Sequence, residues 1–302
     1  MDVDFPLAVA GLFVGFVVGL TGMGGGALMT PMLVLVFNVQ PLAAVSSDLV
    51  ASFVMKPVGG GVHLRRGTVN LRLAAWLCVG SIPAAFVGVL LLRVLGDDVD
   101  DTLKVFLGAA LLVAATAMVV KGVLQRNRLG DRDAVDHIVV RPLPTVAIGL
   151  VGGLVVGMTS VGSGSLMVVL LLVLYPRLTA GSLVGTDLVQ AVPLVGAAAL
   201  GHLFLGDFRL DVAGWLLVGA LPGVYLGARL SASAPDHLIR PVLITVLGVS
   251  ALKLLEVPNG IVGALLIAVG VAAAVRLTQK AASGRGSPST TRAIAVSTRK
   301  GR

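Results

Sequence analysis

Gly19-Leu20-Thr21-Gly22-Met23-Gly24-Gly25-Gly26-Ala27-Leu28-Met29 is a glycine cluster between two short apolar runs, and it returns as Gly157-Met158-Thr159-Ser160-Val161-Gly162-Ser163-Gly164-Ser165-Leu166-Met167. At an offset of 138, Gly11, Leu12, Gly15, Gly19, Thr21, Gly24, Gly26, Leu28 and Met29 all meet identical residues. At an offset of 139, Asp48-Leu49-Val50 meets Asp187-Leu188-Val189. At the same offset of 139, His63, Gly67, Trp76, Gly80, Pro83 and Gly88 meet His202, Gly206, Trp215, Gly219, Pro222 and Gly227. Apolar composition aligns leucines and valines by chance, but not both tryptophans of the chain and two of its four histidines. The chain is an internal duplication, and a motif stated twice suggests two half-sites.

Around the two copies the sequence is almost continuously apolar. Of 302 residues 56% are hydrophobic and 13% charged, with a mean hydropathy of +0.99, far from a soluble average. Apolar segments fall at 5–20, 26–38, 42–63, 71–94, 102–122, 143–157, 163–176, 180–204, 211–230, 237–255 and 259–277. Most have the length that crosses a hydrocarbon core of roughly 30 Å. This is the pattern of an all-α, polytopic transmembrane bundle with no stretch left for a soluble domain. The first two segments of each half are short. Either they cross as thin tilted helices, or each pair is a re-entrant hairpin meeting at the glycines, which is tolerated only where protein or a water-filled cavity covers the broken backbone. Met1-Asp2-Val3-Asp4-Phe5-Pro6 is acidic where a cleaved signal is basic, so it reads as a retained first span. The single cysteine, Cys78, allows no internal disulfide.

The net charge of +8 does not indicate nucleic acid. Arg276, Lys280, Arg285, Arg292, Arg299, Lys300 and Arg302 follow the last apolar run with no acid among them, and they account for all but one unit of it. Such a tail marks the cytoplasmic side and an anionic lipid surface. The loop from His63 to Arg72 carries three arginines and is expected inside, whereas its counterpart around Asp207, Arg209 and Asp211 has net charge −1. The loop with Asp97, Asp98, Asp100 and Asp101 is expected outside, and its counterpart around Arg229, Asp236 and Arg240 is weakly positive. Equivalent loops therefore face opposite sides, as an odd number of crossings per half requires. The expected organisation is repeat 1 at 1–122, a cytoplasmic linker at 123–142, repeat 2 at 143–257, a final helix at 258–277 and a basic disordered cytoplasmic tail at 278–302, with the N-terminus outside. Two inverted repeats with interrupted helices are a secondary-transporter architecture, with the site near the midplane where the repeats meet.

Gly22, Gly24, Gly25 and Gly26 suit a chain break leading into a helix N-terminus, where free N–H groups and the positive dipole end favour an anion. The second copy has Gly162 and Gly164, and Ser160, Ser163 and Ser165 add hydroxyls where the first has glycine or alanine. Thr21 and Thr159 supply a hydroxyl in both. The alternative is close helix packing through small residues, which needs no ligand. Lys56 breaks the symmetry, since its equivalent is Val195. It is expected to supply positive charge to an anionic substrate or to pair with an aspartate, unless it snorkels to the interface. Asp48 and Asp187 are candidates for coupling protons, or equally for helix N-caps. His63 and His202 are further coupling candidates, or loop-fixing hydrogen-bond partners. No nucleotide-binding loop, metal cluster or cofactor motif is present. A serine hydrolase using Ser163 or Ser165 with His202 is the rival class, and a passive anion channel the nearer alternative. The duplication argues against the hydrolase, because the first copy has Gly25 and Ala27 in place of the serines.

Gly15-x-x-x-Gly19-x-x-Gly22-x-Gly24-Gly25-Gly26 followed by Pro31, the repeat at Gly157 to Gly164, Gly185-Thr186-Asp187 and His202-x-x-x-Gly206 together resemble the 4-toluene sulfonate uptake permease family, which includes the sulfite exporter TauE/SafE proteins. The likeness runs from about residue 8 to 275. It implies a bacterial inner-membrane transporter, not an enzyme, for small sulfur-containing or organic anions such as sulfite or sulfonates. The second copy departs from the glycine-rich form at Ser160 and Ser163, and the equivalent of Pro31 is Val169, so the half-sites are expected to bind unequally. Substrate, direction of transport, coupling ion and oligomeric state are open at this level.

Overall fold

A computed structural model describes residues 4–21, 25–94, 99–127, 138–205, 209–230 and 236–265. Gly22 and Gly24, the basic tail and most of the expected final helix lie outside the described residues. Residues up to Val257 form one compact unit. Its elements are all helices: α1 (Asp4–Thr21), α2 (Gly26–Leu35), α3 (Pro41–Arg65), α4 (Leu71–Val94), α5 (Val99–Asn127), α6 (Pro142–Thr159), α7 (Leu166–Leu174), α8 (Ala180–Leu205), α9 (Leu210–Leu230) and α10 (Asp236–Leu254). Six helices among the described residues, α3, α4, α5, α6, α8 and α9, are long and apolar enough to cross a membrane. Large apolar side chains such as Phe13, Val79, Leu90 and Val218 point outward, as lipid contact requires.

The helices pair as α1 with α9, α4 with α6, α3 with α8, and α5 with α10. Advancing each helix number by five exchanges the first two pairs and returns the last two onto themselves. Glycine stripes with four-residue spacing make the first two pairs. Gly11, Gly15 and Gly19 on α1 lie against Leu216, Ala220 and Val224 of α9, and Gly219, Gly223 and Gly227 lie against Ala8, Leu12 and Phe16 in return. Gly149, Gly153 and Gly157 of α6 meet Leu77, Ser81 and Ala85 of α4 in the same way. A Cβ at Gly15 would stand 2.8 Å from Ala220 Cα, closer than any real contact. This is small-residue packing of the membrane kind. The repeated Gly15, Gly19, Gly153 and Gly157 thus serve helix contact, as the ligand-free alternative had it.

Gly153→Ala should lower the thermal midpoint of detergent-purified protein, with a cost near the upper end of the about 1–3 kcal/mol typical of overpacking, because the methyl would meet Ser81 backbone. Gly214→Ala, at a position with open space around it, should leave the midpoint unchanged.

Residue numbers rise together along α1/α9 and α4/α6, so these pairs are parallel. Along α3 and α8 they oppose one another: Phe53 packs at Gly196, Leu188 at Gly59 and His63 at Gly185. The α5/α10 pair is likewise antiparallel, with Leu255 at Gly108 and Arg240 at Gly122. Equivalent helices running in opposite directions are compatible with inverted repeats.

The short segments are hairpins. With 10 and 9 residues, α2 and α7 span only about 14–15 Å. Tyr175, directly after α7, accepts a hydrogen bond from the Arg141 N–H at 2.9 Å and meets Thr145 Oγ1 at 2.6 Å, so α7 ends beside the start of α6. Leu7 of α1 and Leu33 of α2 likewise share one buried cluster with Val212 and Leu216 of α9. Each pair therefore returns to the side it entered from, which decides between the two sequence-level options. Three longer helices remain in each half, still an odd number.

Positive charge is concentrated at one end. Arg65, Arg66 and Arg229 line one cavity, and Arg141 lies at the same end through the cluster joining Leu73, Val140 and Tyr175. Asp100 and Asp211 lie at the other end. Asp100 accepts from Leu42 N–H at 3.2 Å at the start of α3, and Asp211 opens α9 beside Arg209, whose carbonyl Ser47 reaches at 3.5 Å.

Candidate functional site

The two hairpin tips meet. α6 stops at Ser160, which takes the left-handed conformation at φ 59°, and the chain turns through Gly162 at φ 119° and Gly164 at φ 96° before α7 begins. A side chain at either glycine would be strained, so the backbone chemistry of the motif is explained locally. Gly26, the first residue of α2, is seated on Ser160 so closely that a Cβ would overlap its carbonyl oxygen. Neither α2 nor α7 has a side-chain cap at its start. Both half-helices thus begin beside this contact with backbone N–H groups free of side-chain partners and the positive dipole end turned toward it.

α3 and α8 flank the tips with buried polar groups. Asp48 and Asp187 are 0% and 2% exposed and Lys56 is 6% exposed. Thr30 of α2 donates to Asp48 Oδ2 at 2.7 Å, and Ser52 donates to Oδ1 at 3.4 Å. Ser160 Oγ lies close to the same carboxylate without forming a geometric hydrogen bond. Lys56 Nζ donates to Ser163 Oγ in the second tip. It stands within electrostatic reach of both aspartates, yet makes no direct ion pair with either. The Gly164 N–H faces Asp187. Gln190, one turn on along α8, donates to Ser81 Oγ at 2.7 Å. Lys56 therefore does not snorkel. Nor do the aspartates cap, since α3 begins at Pro41 and α8 at Ala180.

Ser160 Oγ, Ser165 Oγ, Asp187 Oδ1 and Gln190 Oε1 are buried without a hydrogen-bond partner among the described residues. Buried polar atoms are nearly always paired in folded proteins, so these four atoms have hydrogen-bonding capacity left for a polar guest. The arrangement offers an anion two helix N-termini, serine hydroxyls and one ammonium.

Other expected site residues stand elsewhere. Thr21 and Thr159 donate to the carbonyls of Val17 and Val155 in their own helices, at 2.8 and 2.6 Å. Thr21 borders a cavity of about 900 Å³ at the arginine-rich end, also lined by His63, Arg65, Arg66, Tyr225 and Arg229 and by no carboxylate among the described residues. Arg229 stacks over the Tyr225 ring at 4.5 Å. Thr159 and Gly162 border a smaller apolar cavity of about 190 Å³ against α5. Gly25 contacts Met29, Met55 and Ser52 side chains. Sequence comparison missed Thr30, because its counterpart in the second half is Val168 and the duplication gives it no signal.

Both histidines are engaged in tying helices. His202 Nε2 lies 2.9 Å from the Gly157 carbonyl and Nδ1 lies 3.0 Å from Ser46 Oγ. A carbonyl only accepts, so Nε2 carries hydrogen, and in the neutral ring Nδ1 competes with the Leu42 carbonyl, 2.8 Å from Ser46 Oγ, for the one Ser46 proton. His202 thereby joins α3, α6 and α8. His63 Nδ1 meets Thr68 Oγ1 at 2.9 Å and fixes the turn after α3. Ser163 and His202 are not brought together as nucleophile and base, since Lys56 holds the serine. His202→Phe should lower the thermal midpoint, at about 1–3 kcal/mol for the orphaned Gly157 and Ser46 partners, and leave the pH profile of any transport unchanged.

The sulfite exporter TauE/SafE family model matches residues 7–254, from α1 to the end of α10. Probable membrane transporter protein YjnA of Bacillus subtilis (strain 168) is 35% identical over 252 residues, covering 82% of this chain and 98% of that protein. Probable membrane transporter protein YdhB of the same organism is 22% identical over 245 residues, covering 80% and 96%. Probable membrane transporter protein MJ0441 of Methanocaldococcus jannaschii is 24% identical over 266 residues, covering 82% and 94%. No solved structure matches. With its all-helical bundle, its paired hairpins and a family match over nearly all of the compact unit, the chain belongs to the sulfite exporter TauE/SafE family of membrane transporters.

Proposed function

We propose that the protein is a secondary transporter of small anions, sulfite and sulfonates foremost, which bind where the two hairpin tips meet. The observation that carries this reading is the convergence of two uncapped half-helix N-termini on one buried cluster, in which Lys56 reaches from α3 to Ser163 between two equivalent aspartates. Helix starts favour anions, and the family name supports sulfur oxyanions as the class. The substrate contacts are assigned to Gly25, Gly26, Ser160, Ser163, Ser165 and Lys56, together with Gly22 and Gly24 of the same sequence motif.

The antiparallel pairing of equivalent helices supports two inverted repeats, 1–122 and 143–257, that rock against one another for alternating access. The arginine-rich end is assigned to the cytoplasm by the excess of positive charge. That places the N-terminus outside, makes the cavity of about 900 Å³ a cytoplasmic vestibule, and suits an inner membrane whose anionic leaflet holds the tail.

Thermal stabilisation of the purified protein by sulfite, methanesulfonate, sulfoacetate, sulfate and acetate tests the reading. A ligand at 100 times its Kd adds about 2.7 kcal/mol. Stabilisation by a sulfur oxyanion, lost in Ser163→Ala, is expected. A panel without effect contradicts it.

A further inference from the structure

The charges at the tips have a consequence for the driving force that rests on the anion-transport reading. Around Asp187 stand Lys56 from α3, Lys121 from α5 and the Gly164 N–H from the second tip, and Asp48 of α3 faces the same Lys56. His63 packs at Gly185, two residues away, and is engaged with Thr68. Asp48 has fixed donors in Thr30 and Ser52. Asp187 has no such donors. Its Oδ1 is unpartnered, and its compensation comes from the Lys56 ammonium and the Gly164 N–H, the groups an arriving anion would engage, with a further contribution from the charge of Lys121.

Uncompensated charge at membrane depth is costly. The fixed contributions, Lys56, Lys121, Asp48 and the two helix dipoles, are the same before and after loading and cancel in the comparison. Bringing in one negative charge therefore leaves the cluster one unit more negative unless one positive charge comes with it. A carboxylate whose compensation is drawn away by the anion is the group that takes up a proton at that step.

We infer that each monovalent anion crosses together with one proton, held on Asp187 while the anion occupies Lys56 and the serine hydroxyls, so that transport of a monovalent anion is electroneutral. In the unloaded site Asp187 is the carboxylate facing Lys56. Loading brings in the anion and a proton, which adds to an Asp187 oxygen, and release of the anion at the other face returns that proton to water. No electron moves and no covalent bond other than O–H forms or breaks.

Methanesulfonate is the probe, because it stays a monovalent anion throughout the working pH range and any coupled proton must be carried by the protein. In proteoliposomes, an inside-alkaline gradient of one pH unit should support accumulation of up to about tenfold, the equilibrium limit for one proton per anion. A potassium diffusion potential without a pH gradient should support none. Accumulation driven by potential alone or by a sodium gradient, or downhill flux with no response to pH, overturns the inference while leaving anion transport standing. If folded protein moves neither methanesulfonate nor sulfite, the anion-transport reading itself fails, and the inference with it.

Asp187→Asn should keep downhill flux and lose pH-driven accumulation. Asp187→Glu, which keeps the carboxyl, should retain accumulation with a displaced pH dependence. Retained pH-driven accumulation in Asp187→Asn, with its loss in Asp48→Asn, would overturn the assignment to Asp187. Should neither Asp187 variant fold, the wild-type response to the two gradients still decides the coupling.

Discussion

Lys56→Met should abolish anion binding while leaving a folded protein. Lys56 is 6% exposed and hydrogen-bonds Ser163 in the second hairpin tip. Removing one partner of a buried charge cluster costs roughly 3–5 kcal/mol, which, if it falls on binding, is a loss of about two to four orders of magnitude in affinity. The fold should survive, because methionine has similar length and both aspartates can protonate once the ammonium is gone. Sulfite-induced thermal stabilisation measures the effect. A Lys56→Met protein stabilised as strongly as the wild type would remove the lysine from the site.

Gly26→Ala should cost nearly as much by a different route. The added methyl would overlap the Ser160 carbonyl, and neither partner is a flexible side chain that can turn away. The tips would separate, at a cost at or beyond the top of the about 1–3 kcal/mol of ordinary overpacking, and anion flux should fall by at least about a hundredfold. Gly25→Ala is the contrast. Its Cβ would meet Met29 Sδ at 3.1 Å, Met55 Cε at 3.2 Å and Ser52 Oγ at 3.3 Å, all side-chain ends that can shift by a few tenths of an ångström, so flux should stay within a few-fold. Similar results for the two variants, read as flux per folded protein, would show that the tip contact is unimportant.

Much of this fold was legible because duplication and hydropathy are long-range signals. The glycine cluster and its copy located both hairpin tips, and the aspartates at equivalent positions marked the two helices that flank them. What sequence could not separate was glycine for packing from glycine for conformation. Gly15 and Gly157 lie on helix faces that touch α9 and α4, whereas Gly162 and Gly164 are held at positive φ, and Gly26 is held by the opposite tip. All of them align equally well between the halves. Substitution of Gly162 by leucine is consequently a poor probe of ligand binding, since it would strain the backbone with or without a ligand.

Thr21 and Thr159 are ambiguous for a related reason. A threonine in the last turn of a membrane helix can return its hydroxyl to a carbonyl four residues back, as both do here, and sequence does not distinguish that from a hydroxyl aimed at a substrate. Lys56 was visible because it breaks the repeat. Its partner Ser163 was named only as a donor in the other half, since a contact across 107 residues is a property of how the second tip docks against α3 and not of local pattern.

Counterflow in proteoliposomes tests most directly the claim that the hairpin tips form one anion site exposed alternately to the two faces. With no net gradient, unlabelled sulfite inside should accelerate entry of labelled sulfite severalfold, and Lys56→Met should eliminate the acceleration. Equal entry with and without internal sulfite, or acceleration that survives Lys56→Met, would contradict the account.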